Sequence, residues 1–238
     1  MSWRILKYIE HLFYRKHRKW HGIHSPYLFA FVNRVVFNSQ HTAVPGTILK
    51  EFRAQRSESS FVRRSSVRWK QGALLHRIAL WFRPEMIIEL GTGMGISTMF
   101  LASGSPGTPL HSIEGNSERA QQASRLMERC CPGSVTIHHG EMREQLEALL
   151  PMVPGRFLAF VDGNHQYEPT LSYVRYLLDR AGDEALIVMD DIYWSRGMHR
   201  AWKEIISWPD VHISMDLFHM GILLLRRDLH KRQFKIKF

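Results

Sequence analysis

From Glu85 onward, short apolar runs alternate with helix-period stretches, and this alternation constrains the fold more than any other feature of the chain. MIIEL precedes Ile96–Ala102, LHSIEG precedes Ser117–Cys130 and VTIHHG precedes Met142–Leu150. FLAFVDG then precedes Pro169–Ala181, and ALIVMDD precedes Met198–Ser207. Strands linked by helical crossovers lie parallel, so five such units predict a parallel sheet covered by helices on both faces. The end of the chain differs. VHISMDLF and MGILLLRR leave no room for a helix between them and predict an antiparallel hairpin. The expectation is an α/β fold of seven strands, mostly parallel, closed by a C-terminal hairpin.

The N-terminal third has another character. Trp3, Ile5, Leu6, Ile9, Leu12 and Phe13 recur at helical spacing with basic residues between them. Ser25-Pro26 can open a second helix through Tyr27–Phe37. Residues 41–66 read as a mobile connector or lid, and a further helix is expected over Val67–Phe82, stopping before Pro84. The expected division is a basic helical extension over 1–66 and a catalytic domain over 67–238.

Charge follows the same division. The chain of 238 residues carries +10 overall, but residues 1–83 hold 16 basic against 3 acidic side chains, and residues 84–225 hold 10 against 18. The tail RRDLHKRQFKIKF is basic again. Basic arms flank an acidic middle, which points to an anionic partner or to arms folded on the middle. His17, His21 and His24 share a helical spacing, but Gly22 and Pro26 interrupt it and no cysteine joins them; a structural or surface role is the reading. Two adjacent cysteines, Cys130 and Cys131, fit a reducing compartment. No apolar run approaches the length of a membrane span, and no signal peptide is evident, so a cytoplasmic location is expected.

The sharpest motif is Glu89-Leu90-Gly91-Thr92-Gly93-Met94-Gly95, between an expected strand and an expected helix. Glycines there allow positive φ and close approach of a ligand to backbone, beside the free N–H groups of a helix start. Ile96 stands where a dinucleotide fingerprint needs its last glycine, and the Gly-Lys-Ser/Thr of a phosphate loop is absent. This E-x-G-x-G-x-G form resembles motif I of S-adenosylmethionine (SAM)-dependent methyltransferases. Five strand–helix units closed by a hairpin are likewise typical of the Rossmann-like class I methyltransferase fold. The resemblance implies that Glu89, Gly91, Thr92, Gly93 and Gly95 surround the cofactor. Glu114 ends the second expected strand, where a carboxylate can accept from both ribose hydroxyls. Glu141, after the third, is a candidate for the adenine amino group, or for the start of its own helix.

Asp162 ends the fourth expected strand and Asp190-Asp191 the fifth. Adjacent parallel strands bring their ends together, and three carboxylates there need a cation, a Lys or Arg, or protons. Residues 68–227 resemble the O-methyltransferases that include the metal-dependent catechol type and relatives of unknown substrate. That resemblance implies Asp162, Asp190 and Asp191 as magnesium ligands, with Asp162 also beside the cofactor. Asp191 departs from it, standing where the metal-dependent members have Asn. The D-G-x-H-x-Y stretch (Asp162, Gly163, His165, Tyr167) is similar to the relatives, as is HGIHSP near the N-terminus. Asp162 and His165 are the catalytic candidates, His165 because it can take a proton near neutral pH. Tyr193 and Trp194 could wall the acceptor.

The reading is a SAM-dependent methyltransferase, most simply an O-methyltransferase of a small hydroxylated acceptor, with magnesium as a candidate second cofactor and a homodimer as a candidate assembly. An RNA methyltransferase gripping phosphates with its arms is the alternative, though the motif for exocyclic amines is missing. A non-catalytic binding protein on the same fold is another, docked on an anionic membrane surface through its first helix. Nucleic acid and membrane are the weaker partners.

Overall fold

The structure, a computed structural model, describes residues 3–13, 25–38, 44–182 and 184–238. The histidine triplet His17, His21 and His24, and with it most of HGIHSP, lies outside the described residues. In chain order the helices are α1 (Trp3–Phe13), α2 (Pro26–Phe31), α3 (Gly46–Glu58), α4 (Ser60–Ser65), α5 (Trp69–Phe82), α6 (Ile96–Gly104), α7 (Ser117–Cys130), α8 (Met142–Leu149), α9 (Tyr167–Arg180) and α10 (Arg196–Ile205). The strands are β1 (Met86–Leu90), β2 (Leu110–Glu114), β3 (Val135–His139), β4 (Phe157–Val161), β5 (Ala185–Asp190), β6 (Ile213–Asp216), β7 (Met220–Leu225) and β8 (Arg232–Lys235). Two compact units divide the chain: Phe31–Leu149, and residues 1–30 with Leu150–Phe238.

In the unit Phe31–Leu149, β2 lies parallel to both β1 and β3. The register sets Leu90 against Ile113 and Glu114 against His139, so the three strands finish level with one another. Gly91, Gly115 and Gly140 therefore follow at one edge. Two elements differ from expectation. α2 runs on into a π-helical turn, Val32–Val36, with the Phe37 N–H on the Val32 carbonyl at 3.0 Å. The Arg77 guanidinium, itself buried, donates to the Val35 carbonyl at 2.7 Å. Residues 41–66, expected as a connector, instead hold α3 and α4. Phe52 is buried edge-on against Trp69 and Phe100, with ring centroids 5.4 and 5.7 Å away, and the Ser59 hydroxyl caps α4 by accepting the Val62 N–H. The apolar stripe of α3 is short, Ile48, Leu49 and Phe52 among polar and basic neighbours. Tertiary packing rather than periodicity makes it a helix.

In the other unit, β4 and β5 are parallel, β7 pairs antiparallel with both β5 and β6, and β8 adds parallel to β6. The expected hairpin is β6–β7. β8 is an eighth strand where seven were expected. It lies in the basic tail, whose Phe234 and Ile236 are buried while Gln233 is exposed and Lys235 half-exposed, the period of a half-buried strand. All residues of β4–β7 are buried, as continuous apolar runs require. Trp202 of α10 packs on β7 at Gly221, where a Cβ would lie 2.4 Å from the indole ring. Among the described residues no helix is long and apolar enough to cross a membrane.

Candidate active site

The glycine loop takes the conformation its composition anticipates. Gly91, Gly93 and Gly95 have φ of 100°, 54° and 80°. Gly95 is needed for packing, since a Cβ there would sit 3.3 Å from Ala123 and Met127 of α7. A Cβ on Gly93 would meet nothing within 4 Å, so the backbone there borders open space. Glu114 secures the loop from the next strand: its Oε2 accepts the Gly93 N–H at 2.8 Å and its Oε1 the Asn116 N–H at 2.9 Å. The Gly91 and Thr92 N–H groups bond the Ile113 carbonyl.

Glu89 lies beneath the loop and is fully buried. Its Oε2 accepts from the Ser112 and Thr98 hydroxyls at 2.6 and 2.5 Å, and Oε1 has no hydrogen-bond partner. Burial pushes its carboxyl up to about 7 against the pull of the Ser112, Ser97 and Thr98 hydroxyls. The Thr92 hydroxyl bonds Ser112, so its side chain supports the loop from below. Glu141 is exposed, and its Oε2 accepts the Glu144 N–H at 2.9 Å, the helix-start contact.

These residues fit SAM. The open backbone at Gly93 admits a ligand, the orphaned Oε1 of Glu89 is a buried acceptor for a cation, and each oxygen of Glu114 keeps a lone pair beyond the N–H it already binds.

In the unit containing β4 and β5, Asp162, His165, Asp190 and Asp191 are brought together. Asp190 is buried, with Asp191 and Asp162 as its acidic neighbours. Burial, with Asp191 adjacent, pushes Asp190 up to about 8. Asp190 Oδ1 has no hydrogen-bond partner. Asp191, at φ 50°, accepts from the Arg4 guanidinium at 2.9 Å. His165 Nε2 stands 3.6 Å from Asp162 Oδ1, and its Nδ1 is buried without a partner. Burial pushes this imidazole below its ordinary value; Asp191 opposes the shift and Arg4 adds to it.

Helix α1 supplies what sequence reading missed. Arg4 also lies over the exposed Trp194, 5.1 Å from the ring centroid, and the Trp3 ring is 5.8 Å from His199. Tyr8 meets Phe218 edge-on at 4.9 Å. His11 is buried 3.3 Å from Asp216, whose other oxygen accepts the Tyr193 hydroxyl at 2.7 Å. Burial pushes Asp216 up, but the His11, Tyr193 and Phe218 N–H contacts outweigh it, and the carboxyl ends below its ordinary value. Tyr193, expected as an acceptor wall, is thus buried in this anchor, while Trp194 is open.

Magnesium does not fit the expected ligands as they stand. Asp191, one of the three, is engaged by the Arg4 guanidinium at 2.9 Å. Among the described residues no group of three or more His, Cys, Asp or Glu side chains is disposed to hold a metal.

Residues 88–192 match a family model described as a methyltransferase domain. Solved structures of the same fold include the O-methyltransferase TomG from Streptomyces achromogenes, involved in tomaymycin synthesis and bound to SAM. It is 24% identical over 82% of this chain and 96% of its own, with a TM-score of 0.64. An O-methyltransferase from Bacillus cereus in complex with SAH is 19% identical over 84% of this chain and 97% of its own, also at 0.64. An SAH-bound methyltransferase from Podospora anserina is 16% identical over 85% and 96%, at 0.65. No curated protein is similar to the chain in sequence. The fold is the Rossmann-like class I methyltransferase fold. Within it, residues 88–192 are the part that matches the methyltransferase-domain model.

Proposed function

We propose that the chain is a SAM-dependent O-methyltransferase acting on a small hydroxylated acceptor. The observation that carries this reading is the glycine loop, bordering open space at Gly93 and tied to Glu114, within the residues that match a methyltransferase-domain model. Glu114 accepts the ribose hydroxyls, Glu89 Oε1 faces the cofactor's ammonium charge, and the free oxygen of Glu141 takes the adenine amino group. SAM, when bound, supplies an electrophilic methyl group. Asp162 and His165 act on the acceptor. His165, whose Nε2 stands 3.6 Å from Asp162, takes the acceptor's hydroxyl proton. Asp162 is also the strand-end residue assigned to the cofactor side. Trp194, exposed beside His165 at 6.1 Å between ring centroids, offers the acceptor an aromatic face. Free thiols at Cys130 and Cys131, with Cys131 pushed up to about 11 by burial, suit a cytoplasmic location. The RNA alternative is not favoured, since the solved neighbours named as O-methyltransferases include one of small-molecule synthesis.

Calorimetric titration with SAM, followed by a screen of hydroxylated compounds for SAH release, tests this. Binding with turnover on a hydroxyl compound is expected. Absence of SAM binding by folded protein overturns the reading, and binding with turnover only on RNA selects the alternative.

A further inference from the structure

Three carboxylates at one strand edge require compensation, and the unit containing them shows its source. The Arg4 guanidinium lies 2.9 Å from Asp191 Oδ1 and is stacked over Trp194. It is carried there by a helix held along its length, through Trp3 on His199, Tyr8 on Phe218 and the buried pair His11–Asp216. A contact between residues 187 positions apart, fixed by three further side chains of the same helix, is a built arrangement rather than a passing surface pair. A guanidinium is planar, weakly hydrated and always charged, so it holds a carboxylate in a partly buried place better than an ammonium does. It engages Asp191 Oδ1, an oxygen that a small divalent ion would otherwise bind at about 2 Å.

We infer that Arg4 is the resident cation of the Asp162, Asp190 and Asp191 cluster, and that the cluster takes up no divalent metal while α1 is docked. Arg4 is then a positioning residue: it fixes Asp191 and Trp194 beside His165, in the place the metal-dependent relatives give to an ion. The acceptor is oriented by an element from the chain's beginning instead of by a metal.

Manganese(II), followed by the loss of its free-ion paramagnetic resonance signal, tests this on the full-length chain. Wild type and Arg4→Lys are expected to leave the ion free up to about 1 mM. Arg4→Gln is expected to bind one ion at least about tenfold more tightly, because a positive charge within contact distance has been removed. Adding Asp162→Asn to that variant should cancel the gain. Arg4→Met, which keeps the apolar stem on Trp194, provides the same comparison should the Gln variant be poorly folded. Manganese binding by wild type that Asp162→Asn abolishes overturns the inference. So does a folded Arg4→Gln or Arg4→Met variant that binds no better than wild type. The readout does not involve methyl transfer, and SAM titration of the same samples separates its failure from failure of the methyltransferase reading.

Discussion

The carboxylates beneath the glycine loop and those after β4 and β5 meet the same physical problem with different means. Glu89 is fully buried and accepts from Thr98 and Ser112; Glu114 accepts from the backbone at Gly93 and Asn116. All of these donors are neutral and lie within 23 positions in the chain. Asp191 and Asp216, in contrast, are matched by Arg4 and His11, 187 and 205 positions away. Glu114 also has the Arg119 guanidinium 4.0 Å from its Oε1, and Glu89 holds its proton up to about 7, so both carboxyls are relieved by groups near them in the chain. At Asp191 the compensation is a guanidinium carried by another helix, which makes that place depend on the helix being docked. The difference teaches that the carboxyls around the glycine loop are relieved by local chain, and those after β5 by recruitment of the N-terminal helix.

The largest effect that would break this comparison concerns the acceptor half. His165→Ala should lower turnover about 10²- to 10⁴-fold with SAM affinity held, as expected for loss of a proton acceptor; steady-state kinetics with a substrate found by screening reads this. In the cofactor half, Gly93→Val should weaken SAM binding about 100-fold by calorimetry. It places a branched side chain at φ 54° in the open space bordering the backbone. Glu114→Gln should cost about tenfold in SAM affinity, the difference between charged and neutral acceptors, with circular dichroism unchanged.

The smallest effect is one of pH. Glu89 holds its proton up to about 7 when folded and loses it near 4.5 when unfolded. Between those values the unfolded chain binds fewer protons, so this group lowers stability as pH rises, by up to about 1.4 kcal/mol per unit, and no further above 7. Urea unfolding at pH 5 and 7 should show a decline that Glu89→Gln reduces. A wild-type decline left unchanged in the variant would mean that Glu89 is not the buried acid of the loop.

How much could be read beforehand follows from the distance over which each feature is encoded. The strand–helix alternation and the glycine loop were readable because periodicity and positive-φ glycines are properties of a few adjacent residues. The hairpin β6–β7 was readable for the same reason. α3 was not, because its helix rests on Phe52 meeting Trp69 and Phe100 rather than on a long apolar stripe. Nor was β8, since a basic tail hides the alternation of Phe234 and Ile236. Tyr193 was assigned to the acceptor from its position after Asp190-Asp191; packing with Asp216 and Phe218 buries it instead.

Sequence alone determined that strands and helices alternate, that a glycine-rich turn follows β1, and that acidic residues close β2, β4 and β5. It also limited the remedies for three converging carboxylates to an ion, a basic side chain or protons. Only the tertiary structure decided among them, by bringing Arg4 to Asp191. The physical reason is that electrostatic compensation acts through space: a charge balance at one strand edge can be completed by any residue the fold delivers there.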